Sequence, residues 1–228
     1  TEILIRDGRI AQIGAALNGG DAAIEDAGGR IALPGLAEAH THLDKSLLGY
    51  PWYHNDVGGG NLMAMIDNER QMKKRLGLDP HVQSMRHALQ TAAFGATMIR
   101  SHVDIDTTGG LSALEGVMET TEKLADVVDI QTVAFPQSGL MISPGTAELL
   151  DEAMKMGADL MGGLAPCSVD NDPKGHLDVI FGMAEKHGKG IDIHLHERGE
   201  LGLFSMEQIL DRAEALGMKG MLTVSHAF

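Results

Sequence analysis

The chain has 228 residues, enough for one large domain, and carries 32 acidic against 18 basic side chains. Its net charge of -14 disfavours anionic partners, so we expect no nucleic-acid or membrane surface and a small or cationic partner. The single cysteine, Cys167, excludes a disulfide framework. The sequence contains no apolar run of about 20 residues that would predict a membrane span. Because no signal peptide is recognisable, we expect a cytoplasmic protein, and we expect it to form homo-oligomers.

The first residues predict a small β domain. Two apolar runs flank the turn sequence Arg6-Asp7-Gly8, which is typical of a β-hairpin. Further apolar runs at 22–25 and 28–33 could add strands. We therefore expect a small β-sandwich over residues 1–34 and a second domain over residues 35–228.

The next predicted strand runs from Leu33 and ends in His40 and His42. In an extended chain residues i and i+2 point to the same side, so both imidazoles can reach one metal ion. Imidazole suits zinc, iron and nickel. Taken alone, two histidines at this spacing are also expected by chance. The choice between a metal site and a chance occurrence therefore depends on the rest of the chain.

An irregular stretch follows, and its glycine run at 58–60 fits a lid or a plain surface excursion equally well. A helix is predicted over 61–76. Another begins at Pro80, with Asp79 as its N-cap, and is expected to run to Gly95.

From residue 96 onward strands and helices alternate. Predicted strands cover 97–103, 130–135, 160–164, 191–196 and 221–226, and predicted helices cover 112–127, 146–156, 177–187 and 206–216. This alternation predicts βαβ units and a parallel sheet.

The position of polar residues at the carboxyl ends of the strands distinguishes between two possible architectures, a closed barrel and an open sheet. These residues are His42, His102, Gln137, His194 and His226. In a barrel such ends converge on one mouth, whereas in an open sheet they spread along an edge. A complete barrel has eight strands, so six strands predict an incomplete (β/α)8 TIM-like barrel, with strands seven and eight lying elsewhere in a longer protein or outside this sequence.

Several motifs resemble a known family. The stretches 7–10 and 33–44 resemble the amidohydrolase superfamily of metal-dependent hydrolases. The stretches similar to its bacterial cytosine deaminase branch are 100–104, 133–137, 191–194 with Glu197, and 225–226. The resemblance covers nearly all of the chain, so residues 35–228 would be strands one to six of the hydrolase barrel.

The resemblance implies a ligand set and a proton carrier. His40, His42 and His194 would bind one divalent transition metal ion, zinc or iron, and Glu197 would be the proton shuttle. The family's remaining ligand is an aspartate at the end of strand eight, which this sequence does not reach.

Two further roles and the metal count follow from the same resemblance. His226 would orient or polarise metal-bound water, and Gln137 would hydrogen-bond the amide edge of a heterocyclic substrate. The bridging lysine of two-metal members has no counterpart at 160–166, which favours one metal.

The implied reaction is hydrolytic deamination of a cyclic amidine or nitrogen heterocycle, cytosine-like or aminotriazine-like. Bound zinc lowers the pKa of its water from about 15.7 to about 7, which supplies hydroxide at neutral pH. The stretches 166–170 and 196–200 depart from cytosine deaminase and leave the heterocycle open. The alternatives are a ring-opening amidohydrolase on a cyclic amide, which releases no ammonia, and a non-catalytic barrel that binds a metal or small molecule.

Strand periodicity and the resemblance disagree at one strand end. Alternation places His194 and His196 on one face and Glu197 on the other. The resemblance instead requires the strand to end near His194, with the following turn returning Glu197 to the mouth. His102, His196 and Arg198 are then pocket candidates or merely structural residues.

Overall fold

The structure is a computed structural model that describes residues 1–54, 57 and 61–227, so the glycine run at 58–60 lies outside the described residues. The chain divides into two compact units, Thr1–Pro34 and Gly35–Phe228.

The first unit contains a β-hairpin, as predicted. β1 (Glu2–Arg6) pairs antiparallel with β2 (Arg9–Gly14). The connecting residues Asp7 and Gly8 have φ of 51° and 70°, the left-handed conformation of a two-residue hairpin turn. An aspartate followed by glycine adopts this conformation at little cost, which explains the turn signal in the sequence.

The additional strands considered at 22–25 and 28–33 do not form among the described residues, and the antiparallel sheet of this unit has two strands there. Neither segment forms β structure in the part of the chain that the structure describes. Ile24 and Ile31 are 96% and 85% exposed. An apolar run becomes a strand when a neighbouring strand and a covering layer receive it, and among the described residues these side chains pack against neither.

The second unit alternates strands and helices along the chain. Its strands are β3 (Leu36–Thr41), β4 (Ala96–Asp104), β5 (Asp129–Phe135), β6 (Leu160–Leu164), β7 (Gly190–Leu195) and β8 (Leu222–His226). Its helices are α1 (Leu62–Leu76), α2 (Pro80–Ala93), α3 (Ser112–Lys123), α4 (Thr146–Met156), α5 (Pro173–His187) and α6 (Gly199–Ala215), with a 3-10 turn at Leu43–Lys45. All six strands pair in parallel and in chain order from β3 to β8.

The six-stranded sheet is strongly curled. β3 and β7 lie four strands apart, which in a flat sheet corresponds to about 19 Å at ~4.8 Å per strand. The ring centroids of His40 on β3 and His194 on β7 are nevertheless 4.6 Å apart. The sheet is therefore a half-barrel, and the predicted incomplete TIM-like barrel is confirmed.

Side chains along β7 alternate between the helix-packed face of the sheet and its opposite, inner face. Ile191 and Ile193 are buried in one large apolar core together with Leu177 and Ile180 of α5. The intervening Asp192 and His194 face the opposite side by the period of two.

Helix boundaries follow local capping where the sequence shows it clearly. α2 begins at Pro80, and the side chain of Asp79 accepts the N–H of His81. α5 begins at Pro173, four residues before the predicted start, because Asp172 caps it in the same way. α6 begins at Gly199 rather than 206, and α3 ends at Lys123 rather than 127. None of the described helices is long and apolar enough to cross a bilayer.

The early start of α6 is decided by packing rather than by propensity. Its first turns contain glycines, which have low intrinsic helix propensity. Gly202 and Ser205 are nevertheless buried against the rest of the unit, and burial of the amphipathic face stabilises these turns.

Candidate metal centre and active site

Four histidines converge at the carboxyl ends of the barrel strands. They are His40, His42, His102 and His194, and one ring nitrogen from each lies within 4.8 Å of the others. The structure thus brings together the three candidate ligands named from the sequence. His102, which the sequence left as a pocket candidate or a structural residue, joins them from β4.

The backbone explains how two of these rings come from one short stretch. His40 lies in β3, and His42 follows the last strand residue in an extended conformation, with φ of -129° and ψ of 93°. Extended geometry continues to residue 42, so the two side chains point to the same side.

The residues fit a divalent metal ion. His42 Nδ1 and both ring nitrogens of His102 and His194 are buried without a hydrogen-bond partner among the described residues. Buried polar atoms are normally paired, and a neutral imidazole carries one lone pair on its unprotonated nitrogen, so each of these three rings can offer one nitrogen to a cation.

The ionisation of the cluster supports the same conclusion. Burial, reinforced by neighbouring imidazoles, lowers the pKa of His40 to about 4. Burial likewise lowers the pKa of His42 and of His194 below the ordinary value. The rings of His40, His42 and His194 are therefore neutral at pH 7, which is the form that binds a metal ion.

A buried carboxylate, Asp192 of β7, lies beneath the histidines. Arg100 Nη1 donates to its Oδ2 at 2.8 Å, and the Ser225 hydroxyl donates to its Oδ1 at 3.0 Å. His102 Nε2 lies 3.3 Å from the same Oδ1. Although burial opposes it, His102 and Arg100 hold the pKa of Asp192 below its usual range, so the group is an anion.

Sequence reasoning missed Asp192 and Ser225. Their signal is their position, because Asp192 precedes His194 by two residues on one strand face and Ser225 directly precedes His226.

Glu197 is buried against the loop that follows β6, at the mouth of the half-barrel, and does not face solvent. β7 ends at Leu195, and Glu197 is only 3% exposed. Its Oε1 accepts the backbone N–H groups of Cys167 at 2.7 Å and Ser168 at 2.8 Å. Its Oε2 is buried and has no hydrogen-bond partner among the described residues. The loop after β6 thus orients the carboxylate and leaves one oxygen for other chemistry.

His226 and His196 form a second pair of rings beside the cluster. Their rings are stacked with centroids 4.2 Å apart, and His226 lies 4.9 Å from His40. Burial and the neighbouring His102 lower the pKa of His226. The group of ring nitrogens within 4.8 Å does not include His196.

Gln137 follows β5 and contacts α1. Its Nε2 donates to Glu69 Oε1 at 3.5 Å, and Lys45 Nζ donates to the same oxygen at 2.9 Å. The amide is half-buried, and the structure directs it towards the charged face of α1.

An open cavity of about 440 Å³ lies beside Glu197. It is lined by Asn61, Leu62, Met63, Ser168, Val169, His196, Glu197, Arg198 and Leu201. One wall of the cavity is apolar and is formed by side chains of α1, α6 and the loop after β6. The polar wall is formed by the residues that follow β7.

A small apolar cluster connects this cavity to the histidines. Val169 packs with Phe135, Leu164 and Ile66, and Leu62 packs against this group. The Phe135 ring lies 4.2 Å from the ring of His194. Apolar surface thus extends from the metal cluster to the wall of the cavity.

The fold and this cluster define a (β/α)-barrel domain with candidate ligands at the carboxyl ends of its strands, which is where barrel enzymes build their active sites. The chain belongs to the amidohydrolase family, whose sequence model matches residues 23–227. The resemblance seen in the sequence motifs, including the cytosine deaminase-like branch, is thereby confirmed.

Three relatives show where in the family the chain lies. A crystal structure of N-isopropylammelide isopropylaminohydrolase from Burkholderia multivorans is 50% identical with a TM-score of 0.93, over 99% of this chain and 57% of that one. 5-Methylcytosine deaminase from Klebsiella pneumoniae, liganded with 5-fluorocytosine, is 30% identical with a TM-score of 0.78, over 99% and 55%. N-isopropylammelide isopropyl amidohydrolase from Pseudomonas sp. is 33% identical over 96% of this chain and 55% of the relative. The chain spans about half the length of the curated relatives it matches.

Proposed function

We propose that this chain forms the metal-binding half of an enzyme that hydrolyses an exocyclic carbon–nitrogen bond on a nitrogen heterocycle. The observation that carries the proposal is the cluster of His40, His42, His102 and His194, with orphaned buried nitrogens, at the strand ends. Membership of the amidohydrolase family supports a hydrolase acting on carbon–nitrogen bonds, and the relatives named above act on heterocycles.

His40, His42 and His194 would hold one divalent ion, zinc or iron, with His102 beside them. When bound, such an ion lowers the pKa of water and so supplies a nucleophile at neutral pH. The half-barrel contributes stiff strand ends that hold the imidazoles neutral and close together.

Glu197 is the proton carrier in this proposal. Two backbone N–H groups, from Cys167 and Ser168, hold its Oε1, so Oε2 is the oxygen that accepts and returns a proton. Deamination needs one proton on the ring nitrogen and one on the leaving amine, and a positioned carboxyl group can deliver both. His226, beside His40, would orient the attacking water.

The cavity favours an aminotriazine-like substrate with an apolar nitrogen substituent over cytosine. Leu62, Met63, Val169 and Leu201 form an aliphatic wall next to Glu197. An alkyl group of about three carbons fits such a wall and gains roughly 0.8 kcal/mol for each buried methylene. The names of two of the relatives, which specify an isopropyl group, support the same substrate class.

The test is turnover by the metal-loaded full-length protein. We expect release of an alkylamine from N-isopropylammelide, slower release of ammonia from cytosine and pterin, and no ring opening of a cyclic amide. Ring opening without amine release would replace the deaminase proposal with the cyclic-amide alternative. Metal binding without turnover of any of these compounds would favour a non-catalytic barrel.

A further inference from the structure

We propose that Ser225 and Asp192 fix the ring tautomer of His40, so that its Nε2 is the nitrogen presented to the metal. Both would be positioning residues, which act through His40. The inference rests on the proposed metal site but is independent of the proposed reaction.

The Ser225 hydroxyl has one hydrogen and lies within hydrogen-bond distance of two groups. Its Oγ lies 3.0 Å from Asp192 Oδ1 and 3.2 Å from His40 Nδ1. An ionised carboxylate only accepts hydrogen bonds, so the single hydroxyl hydrogen is used towards Asp192. The hydroxyl oxygen can then only accept from His40, whose Nδ1 must carry the proton. In a neutral imidazole this leaves the lone pair on Nε2.

The contacts of Asp192 fix its carboxylate, which determines that the Ser225 hydroxyl donates its hydrogen to Asp192. It is 1% exposed, and its second oxygen accepts from Arg100 Nη1 at 2.8 Å. Arg100 Nε in turn donates to Gln131 Oε1 at 2.8 Å. The contacts join β4, β5, β7 and β8 across the inside of the half-barrel, in a layer below the histidines. A carboxylate fixed in this way cannot rotate to release the serine hydroxyl.

His40 differs in this respect from two of its neighbours. Neither ring nitrogen of His102 or His194 has a hydrogen-bond partner among the described residues. His40 also lies on β3, at one edge of the sheet, where only β4 pairs with it. The hydrogen bond to Ser225 on β8 therefore joins the first and last strands of the six-stranded sheet that the structure describes.

The first test measures the tautomer directly in the unsubstituted protein. Long-range proton–nitrogen NMR spectra of the full-length protein, labelled with 15N-histidine, report which ring nitrogen is protonated. We expect His40, assigned by the signal lost in His40→Asn, to carry its proton on Nδ1 at pH 7.5, both without metal and with zinc. An Nε2-protonated ring in the metal-free protein overturns the proposal.

The second test measures zinc affinity by competition with a chelator. Ser225→Ala should weaken zinc binding by about 10- to 100-fold, the usual effect of removing a partner of a metal ligand. Ser225→Thr keeps the hydroxyl and should restore most of the affinity. Thr223→Val is the matched control, because the Thr223 hydroxyl accepts from Arg100 but is not bonded to His40. Wild-type affinity in Ser225→Ala, or an equal loss in Thr223→Val, contradicts the proposal.

A third variant covers the case in which Ser225→Ala does not fold. In Asp192→Asn the amide can donate to the serine oxygen, which frees the hydroxyl hydrogen for His40 Nδ1. We expect the His40 proton to move to Nε2 and zinc binding to weaken, while an unchanged tautomer and affinity contradict the proposal. If the unsubstituted protein binds no zinc, the metal site itself is wrong, and the metal-free spectrum still tests the tautomer.

Discussion

The Oε1 atom of Glu197 accepts the backbone N–H of Cys167 at 2.7 Å, across the gap between β7 and the loop after β6. The Ser168 N–H and hydroxyl add to the same oxygen, at 2.8 and 3.3 Å. A residue that follows a strand end would otherwise be a solvated charge. These contacts instead hold the carboxylate at 3% exposure with Oε2 unpaired among the described residues.

Glu197→Gln is expected to keep metal content and folding but to lose turnover. Glutamine retains the shape and one accepting oxygen for the Cys167 and Ser168 N–H groups, but it cannot carry a proton. Loss of general acid–base catalysis lowers kcat by about 10²- to 10⁴-fold. Steady-state kinetics with metal analysis on the same sample measures both quantities.

The control for Glu197 is His196→Asn. The alternation of β7 would make His196 the ligand and Glu197 a bystander, whereas the observed cluster does not include His196. We expect His196→Asn to keep its metal. Loss of metal in His196→Asn together with full turnover in Glu197→Gln would show that the periodicity interpretation was right.

Metal analysis of protein made in defined medium should find about one equivalent of zinc, iron or a similar ion. His194→Ala should remove it, because a buried imidazole at the centre of the cluster is lost. His187→Ala is the matched control, since His187 lies on α5 and contacts Asp151. Two tightly bound ions per chain would contradict the single-metal proposal.

Gln137→Ala should leave the metal in place and reduce kcat/KM. If the amide pairs with the substrate, its loss removes about 1–3 kcal/mol, or roughly 5- to 150-fold. Kinetics with the best substrate gives the value. An unchanged kcat/KM with lowered stability would instead assign the amide to its observed contact with Glu69.

Asp104→Asn should destabilise the fold strongly. Asp104 is 6% exposed and accepts from Lys45 at 3.0 Å and Lys73 at 2.6 Å. Removing one partner of a buried pair costs about 3–5 kcal/mol, because a buried charge is left uncompensated. Asp178→Asn is the control, since its pairs with Lys174 and Arg212 lie at the protein surface, where an ion pair contributes little to stability. Denaturant unfolding of both variants compares the two values, and equal losses would contradict this expectation.

The metal-free protein should lose stability from His40 as the pH falls from 6.5 to about 4. The unfolded chain protonates this imidazole near 6.5, whereas burial lowers its folded pKa to about 4, so the unfolded state binds more protons in that window. Asp44 acts in the opposite sense, because burial and Asp104 raise its pKa to about 7.

Since the two groups oppose each other, the comparison is between the unsubstituted protein and His40→Asn. Their free energies of unfolding, measured in denaturant at several pH values between 7 and 4, should differ in slope. The substituted protein should lose less stability on acidification. Parallel curves would show that His40 is not held neutral by the fold.

Much of the architecture could be predicted from the sequence because it depends on local patterns. The alternation of strands with amphipathic helices determined a parallel sheet, and the Asp79-Pro80 pair determined the start of α2. The spacing of His40 and His42 determined that both rings share one side, since backbone geometry requires it. The same local reasoning did not hold at 22–25, where the apolar run forms no strand among the described residues.

The remaining features depend on contacts between strands that are distant in the sequence, and only the tertiary structure decided them. The curl of the sheet brings His102 to the cluster and Ser225 to His40 across 185 positions of sequence, a proximity that no period along one strand encodes. The orientation of Glu197 is set by two N–H groups of another loop, which override the alternation of its own strand. Periodicity determines the face on which a side chain lies, but its partners are determined by the closure of the sheet and the path of the loops.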